Sequence, residues 1–125
     1  NFINKKNLKK FVKIIFVKNP YKYINMSDVF ILSSKYEGLP NVLLEAAYLK
    51  KYIISSNCKT GPKEIIKNYK YGELYKLGNI DDLSSKLKKL NKKKLKSNKN
   101  KLTNLEVFDY KKNLKKYLDE IKKLV

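Results

Sequence analysis

The chain has 125 residues, enough for one small domain, and its hydrophobic share of 42% permits a packed core. Its 30 basic residues, all lysine, face 11 acidic ones, for a formal net charge of +19. Arginine is absent, so the arginine-and-aromatic contacts usual at nucleic-acid sites are not available, and specific nucleic-acid binding is not expected.

Lysine, Asn, Ile and Tyr are heavily used, which is the drift of an AT-rich coding sequence and inflates lysine without selection for a partner. A basic surface nevertheless attracts polyanions and anionic lipid. Cys58 stands alone with no histidine in the chain, which excludes an internal disulfide and a zinc site and fits a reducing cytoplasm. No apolar run approaches the roughly 18 residues of a membrane span. No signal peptide is evident at the start, and the chain opens on Asn1, so its first residue need not be the natural one.

Residues 11–17, FVKIIFV, are short, apolar and β-branched, and predict a buried strand. Asn19-Pro20 then opens a short helix or turn. Asp28–Ser34, DVFILSS, predicts a second buried strand, followed by the loop KYEGLP. From Asn41 to about Lys50, the spacing of Val42, Leu43, Ala46, Ala47 and Leu49 suits a helix with one buried face. YIISS, residues 52–56, is a third strand. NCKTGPKEIIKN carries a Gly61-Pro62 turn and a short helix with Pro62 near its first position. YGELYKLG is a short extended piece, and Asp81 or Asp82 starts the next helix, through roughly Leu90. Residues 1–93 are taken as one unit, 94–104 as a lysine-rich linker, and 105–125 as an amphipathic helix with Phe108, Leu114, Leu118 and Ile121 on one side.

Alternating strands and helices predict an α/β fold with a parallel sheet, and the continuous apolar strands agree, because both faces of such a sheet are covered. Ligands of open sheets of this kind sit beyond the carboxyl ends of the strands, where the loops after Ser34 and Ser56 fall. A helix starting near Pro40 presents unpaired N–H groups at Asn41, Val42 and Leu43, and its dipole favours an anion such as a phosphate. Gly38 allows close approach to the backbone. Glu37 lies just before the helix and Glu45 about one turn inside it. A diphosphate at the helix end would have a hydroxyl-binding carboxylate on each side, which suits a nucleotide sugar. The competing reading is plain: acidic residues near a helix start stabilise its first turn.

The stretch SSKYEGLPNVLLEAAYLKKYIISSNCKTGPKEII resembles the signature of family 4 retaining glycosyltransferases of the GT-B type. Its core is two glutamates separated by seven residues, here Glu37 and Glu45, with Asp28, Ser34, Gly38, Pro40, Asn41, Ala46, Cys58, Thr60, Gly61, Pro62, Glu64 and Ile65 at the matching places. The likeness covers about residues 11–85 and implies a partial Rossmann-like sheet, the second half of a GT-B C-terminal domain. It further implies that the catalytic Glu37 contacts the donor sugar's hydroxyls, that Glu45 holds the ribose hydroxyls, and that backbone N–H groups from Leu39 to Leu43 face the diphosphate. Gly61 and Pro62 would line the donor pocket, although turn chemistry alone also explains them. The donor implied is a nucleotide-diphosphate sugar, UDP-linked by expectation, used without a bound metal or other cofactor. The acceptor implied is a glycan or lipid-linked glycan, held by an N-terminal domain this stretch does not contain, in the cytoplasm at the inner face of the plasma membrane. The basic pair that grips the diphosphate in the family has no counterpart here, so the 125 residues alone are expected to be inactive. Lys50 and Tyr69 replace frequent glycines, and Tyr52 a usual proline.

Other residues have blander expectations. Cys58 reads as a small packed residue, Asp28 as a group that orients the loop or caps the strand entry, and Tyr21 and Tyr23 as core packing before base-flanking. The rival to the enzyme reading is a noncatalytic lysine-rich module that binds polyanions or makes peripheral membrane contact.

Overall fold

The computed structural model describes residues 2–68, 72–91, 95 and 108–122. A short helix α1 (Phe2–Lys5) precedes α2 (Tyr21–Met26), β1 (Val29–Leu32), α3 (Asn41–Tyr48), β2 (Tyr52–Ser56), α4 (Pro62–Asn68), β3 (Gly72–Tyr75), α5 (Ile80–Lys88) and α6 (Tyr110–Lys122). The fold is α/β: three parallel strands in the order β1-β2-β3, with helices against them, as a partial Rossmann-like sheet requires. Val29 lies opposite Tyr52 and Ile53 opposite Gly72, so each strand pairs with the next one in the chain.

The alternation of side chains along a strand divides the core in two. On one face Ile53 packs with Ile24, Leu43, Ala46, Ala47 and Ile65, joined by Phe30 and Leu32. On the other face Tyr52, Ile54 and Tyr75 meet Val29, Leu83, Leu90 and Leu95. The crossovers α3 and α4 therefore share a face, as right-handed connections between successive neighbours must, and α5 covers the opposite one. All five residues of β2 are buried. Leu43, Ile53, Ile54 and Ile65 are sealed from solvent, each such side chain contributing about 1.5–3 kcal/mol.

Helix ends follow local chemistry. Ser27 closes α2 by donating its hydroxyl to the Ile24 carbonyl at 2.8 Å. Helix α3 ends in a Schellman motif: Lys50 N–H donates to Ala47 O and Lys51 N–H to Ala46 O, both at 2.9 Å, with Lys50 left-handed at φ 55°. The lysine that replaces a frequent glycine thus occupies the left-handed position that favours glycine. Helix α5 is capped by Asn79, whose side chain accepts from Asp82 N–H at 2.8 Å. Asp81 and Asp82 lie inside the first turn, which corrects the expectation that one of them starts the helix. Asn79 wins because its backbone is extended (φ −94°, ψ 102°) while both aspartates are already helical.

The largest departure is at residues 11–17. No strand forms there; Phe11 is 82% and Phe16 95% exposed, and the intervening aliphatic residues are also exposed. Strand propensity expresses itself only against a partner, and among the described residues these have none. Strand β1 is less buried than expected, with Ile31 41% exposed, because it lies at the sheet edge. The linker expected over 94–104 lies outside the described residues except for Leu95, which packs on the second cluster. Of the last helix, Tyr110–Lys122 is described; Leu114 and Leu118 are about half exposed, while Phe108 joins the main core. No described helix is long and apolar enough to cross a membrane.

Candidate functional site

Because β1 and β2 are adjacent and parallel, the loops that leave them emerge side by side. The first runs from Ser33 to Pro40 and leads into α3; the second runs from Asn57 to Gly61 and leads into α4. Three contacts join them. Ser56, buried at the end of β2, donates its hydroxyl to the Ser34 carbonyl at 2.6 Å. Thr60 donates its hydroxyl to the backbone carbonyl of Glu37. Gly61, at φ +85°, lies so close to Gly38 that a Cβ would stand 1.9 Å from the Gly38 carbonyl oxygen and 2.6 Å from Pro40 Cδ. Only glycine satisfies both the left-handed backbone and this approach.

The prolines set the two helix starts. Pro40, buried, is the N-cap of α3, extended at φ −74° and ψ 97°, and it disfavours helix at Leu39. No side chain caps α3. Leu43 N–H donates to the Pro40 carbonyl at 2.9 Å, and Pro40 has no N–H. The expectation of an unpaired N–H at Leu43 is therefore corrected: its amide has an acceptor within the first turn. Asn41 and Val42, both exposed, offer the N–H groups of the first turn that have no acceptor among the described residues. The side chain of Leu43 is a core anchor. Pro62 is the first residue of α4, fully buried, and Glu64 and Ile65 N–H groups turn back to the Gly61 carbonyl at 3.1 and 3.2 Å. Both helices thus direct their positive ends to the carboxyl edge of the sheet.

The glutamates stand around this edge. Glu37 is half-buried in the turn, and the space beside Gly38 is open. Glu45 is half-buried on α3 and accepts from the Tyr21 hydroxyl at 3.5 Å. Leu39, 49% exposed, lies between them in sequence. All ten candidate positions therefore belong to the two loops or the helices they open. Tyr21 and Tyr23 are 48% and 44% exposed, so the expectation of core packing is corrected: α2 is a single-sided helix that buries Ile24. The role of Tyr21 beside Glu45 has no signal in the sequence, since the two are 24 positions apart. Thr60 was legible as part of the motif, but not as a ligand of the Glu37 carbonyl. Cys58 is buried, with its thiol 3.8 Å from the Thr60 carbonyl, as a packed loop residue. Among the described residues no group of three or more His, Cys, Asp or Glu is placed to hold a metal. Two surface hollows are lined by other residues, one by Asn4, Asn7, Lys9 and Lys10 and one by the 76–81 turn that follows β3.

The arrangement suits an anion at two helix starts with hydroxyl-binding carboxylates beside it. Comparison with known proteins gives the family. The family described as Glycosyl transferases group 1 matches residues 1–101. An uncharacterized glycosyltransferase of Methanocaldococcus jannaschii is 48% identical over 65 residues, 51% of this chain and 16% of the relative. The lipopolysaccharide 1,6-galactosyltransferase of Salmonella typhimurium is 43% identical over 60 residues, 48% of this chain and 17% of the relative. A Campylobacter jejuni N-acetylgalactosaminyltransferase, named for a diphospho-undecaprenol acceptor, is 31% identical over 87 residues, 69% of this chain and 24% of the relative. The chain spans less than a quarter of the length of each of these three. No solved structure matches it at a significant level.

Proposed function

The chain belongs to the group 1 glycosyl transferases, and from that premise we propose that it is the donor-binding part of a retaining, family 4 enzyme that takes a nucleotide-diphosphate sugar. The observation that carries this reading is the joining of the Glu37 turn to the start of α4 through Gly61 and Thr60. That contact sets Glu37, the first amides of α3 and the start of α4 along one edge. In this reading the N–H groups of Asn41 and Val42 bind the diphosphate, which two helix dipoles also favour. Glu45 accepts hydrogen bonds from the ribose hydroxyls. Glu37 accepts them from the sugar being transferred and fixes its orientation for attack. Gly38 admits the ligand to the backbone, and Leu39, Pro40, Gly61 and Pro62 shape the floor.

UDP is the nucleotide proposed. The acceptor proposed is a surface glycan or a lipid-linked glycan, supported by the names of the Salmonella and Campylobacter relatives; the place proposed is the cytoplasmic side of the membrane. Acceptor binding belongs to sequence outside these 125 residues, and the isolated chain is proposed to bind donor without transferring sugar.

The test is a titration of UDP and UDP-sugars into the purified chain by calorimetry, at moderate and high salt, beside Glu45→Ala. Saturable binding that falls about tenfold in the variant, roughly 1.4 kcal/mol, and persists at high salt supports the reading. Binding that is unchanged in the variant and vanishes with salt refutes it and favours the lysine-driven polyanion module.

A further inference from the structure

We propose that Thr60 is a positioning residue for Glu37: its hydroxyl holds the Glu37 carbonyl and so sets the direction from which the Glu37 carboxylate meets the donor sugar. The inference rests on the donor-site reading above. In residues 35–39 only Glu37 is half-buried; Lys35, Tyr36, Gly38 and Leu39 are all exposed, and Tyr36 is 87% so. Among the described residues, the Thr60 hydroxyl makes the one hydrogen bond to this stretch. The other restraint is the approach of Gly61 to the Gly38 carbonyl, which limits how far the turn can move toward α4 but does not fix its rotation. The Glu37 side chain leaves from the Cα directly bonded to this carbonyl carbon. A donor on the carbonyl restrains that end of the residue and so the range of directions open to the carboxylate.

Thr60 itself has no call on the core. Its side chain is exposed and lies outside both hydrophobic clusters. Its neighbour Cys58 is buried and already holds the loop, with Asn57 N–H bonded to the Tyr75 carbonyl at 2.8 Å. The Thr60 hydroxyl therefore acts on the opposite loop and not on the core. The consequence concerns recognition of the sugar, because Glu45 and the first amides of α3 stand on a separate element that Thr60 does not touch.

The experiment compares wild type, Thr60→Val, Thr60→Ser and Glu37→Ala as purified 125-residue chains. Affinities for UDP, UDP-glucose, UDP-galactose and UDP-N-acetylglucosamine are measured, together with ¹⁵N relaxation of the Glu37 and Gly38 amides. The valine variant should lose about threefold to tenfold in affinity for the preferred UDP-sugar, keep its affinity for UDP, and show lower order at Glu37 and Gly38. Serine should restore both. Unchanged order and an unchanged UDP-sugar to UDP ratio in Thr60→Val overturn the inference, as does an equal loss for UDP and UDP-sugar. If wild type binds UDP-sugars no better than UDP, or Glu37→Ala leaves the preference intact, the donor-site role of Glu37 fails; the relaxation data then still decide whether Thr60 holds the turn.

Discussion

Replacing Gly61 by alanine should destabilise the protein far more than the same change at Gly78. The two glycines have similar left-handed backbones, φ +85° and +74°. An alanine Cβ at 78 would meet nothing within 4 Å, whereas at 61 it would stand 1.9 Å from the Gly38 carbonyl oxygen. The Gly78→Ala change therefore isolates backbone strain, about 1 kcal/mol. Gly61→Ala adds the displacement of a backbone carbonyl and of Pro40, a further cost of about 2 kcal/mol, for a total of about 3 kcal/mol. With a urea slope of about 2 kcal/mol/M, the midpoints should fall by about 0.5 M and 1.5 M. Urea unfolding followed by circular dichroism measures both. Equal midpoint shifts in the two variants would refute the claim that the Glu37 turn rests on Gly61.

Three further outcomes are expected. Lys50→Gly should raise stability by about 1 kcal/mol, roughly 4 °C in thermal midpoint, because Lys50 occupies the left-handed position of the Schellman motif; a lower midpoint would refute this. Asn79→Ala should cost about 1 kcal/mol through loss of the α5 cap, while Asp81→Ala, which caps nothing, should cost less in the same thermal melt. Phe16→Ser should leave stability within about 0.5 kcal/mol while raising the solubility limit, since Phe16 is 95% exposed; a loss above 1 kcal/mol would mean that the 11–17 segment is packed.

Strands β1 and β2 were legible because they are short apolar runs ending in small polar residues, whereas β3, Gly72–Tyr75, reads only as a short extended piece; the spacing around Leu43, Ala46 and Ala47 named the buried face of α3. Residues 11–17 have the same composition as those strands, yet lie outside the sheet: propensity describes a residue, and pairing requires a neighbour. The cap of α5 was ambiguous because Asn79, Asp81 and Asp82 have equivalent chemistry, and only the backbone angles choose among them. At the site, the two glutamates and their turn were visible as a spacing. The closeness of Gly61 to Gly38 and the bond from Thr60 to Glu37 were not, since each joins residues 23 positions apart across two loops. Tyr21 escaped for the same reason.

The order β1-β2-β3 repeats the order of synthesis, with paired residues only about twenty positions apart in the chain. Each new strand emerging from the ribosome therefore finds its neighbour already made and needs only one intervening helix to reach it. The glutamate turn is laid down between the first and second strands, but the residues that hold it, Thr60 and Gly61, follow the second. During translation, then, the edge that carries the Glu37 turn is the last feature of the β1–β2 pair to take shape, because the residues that hold it follow β2 in the chain.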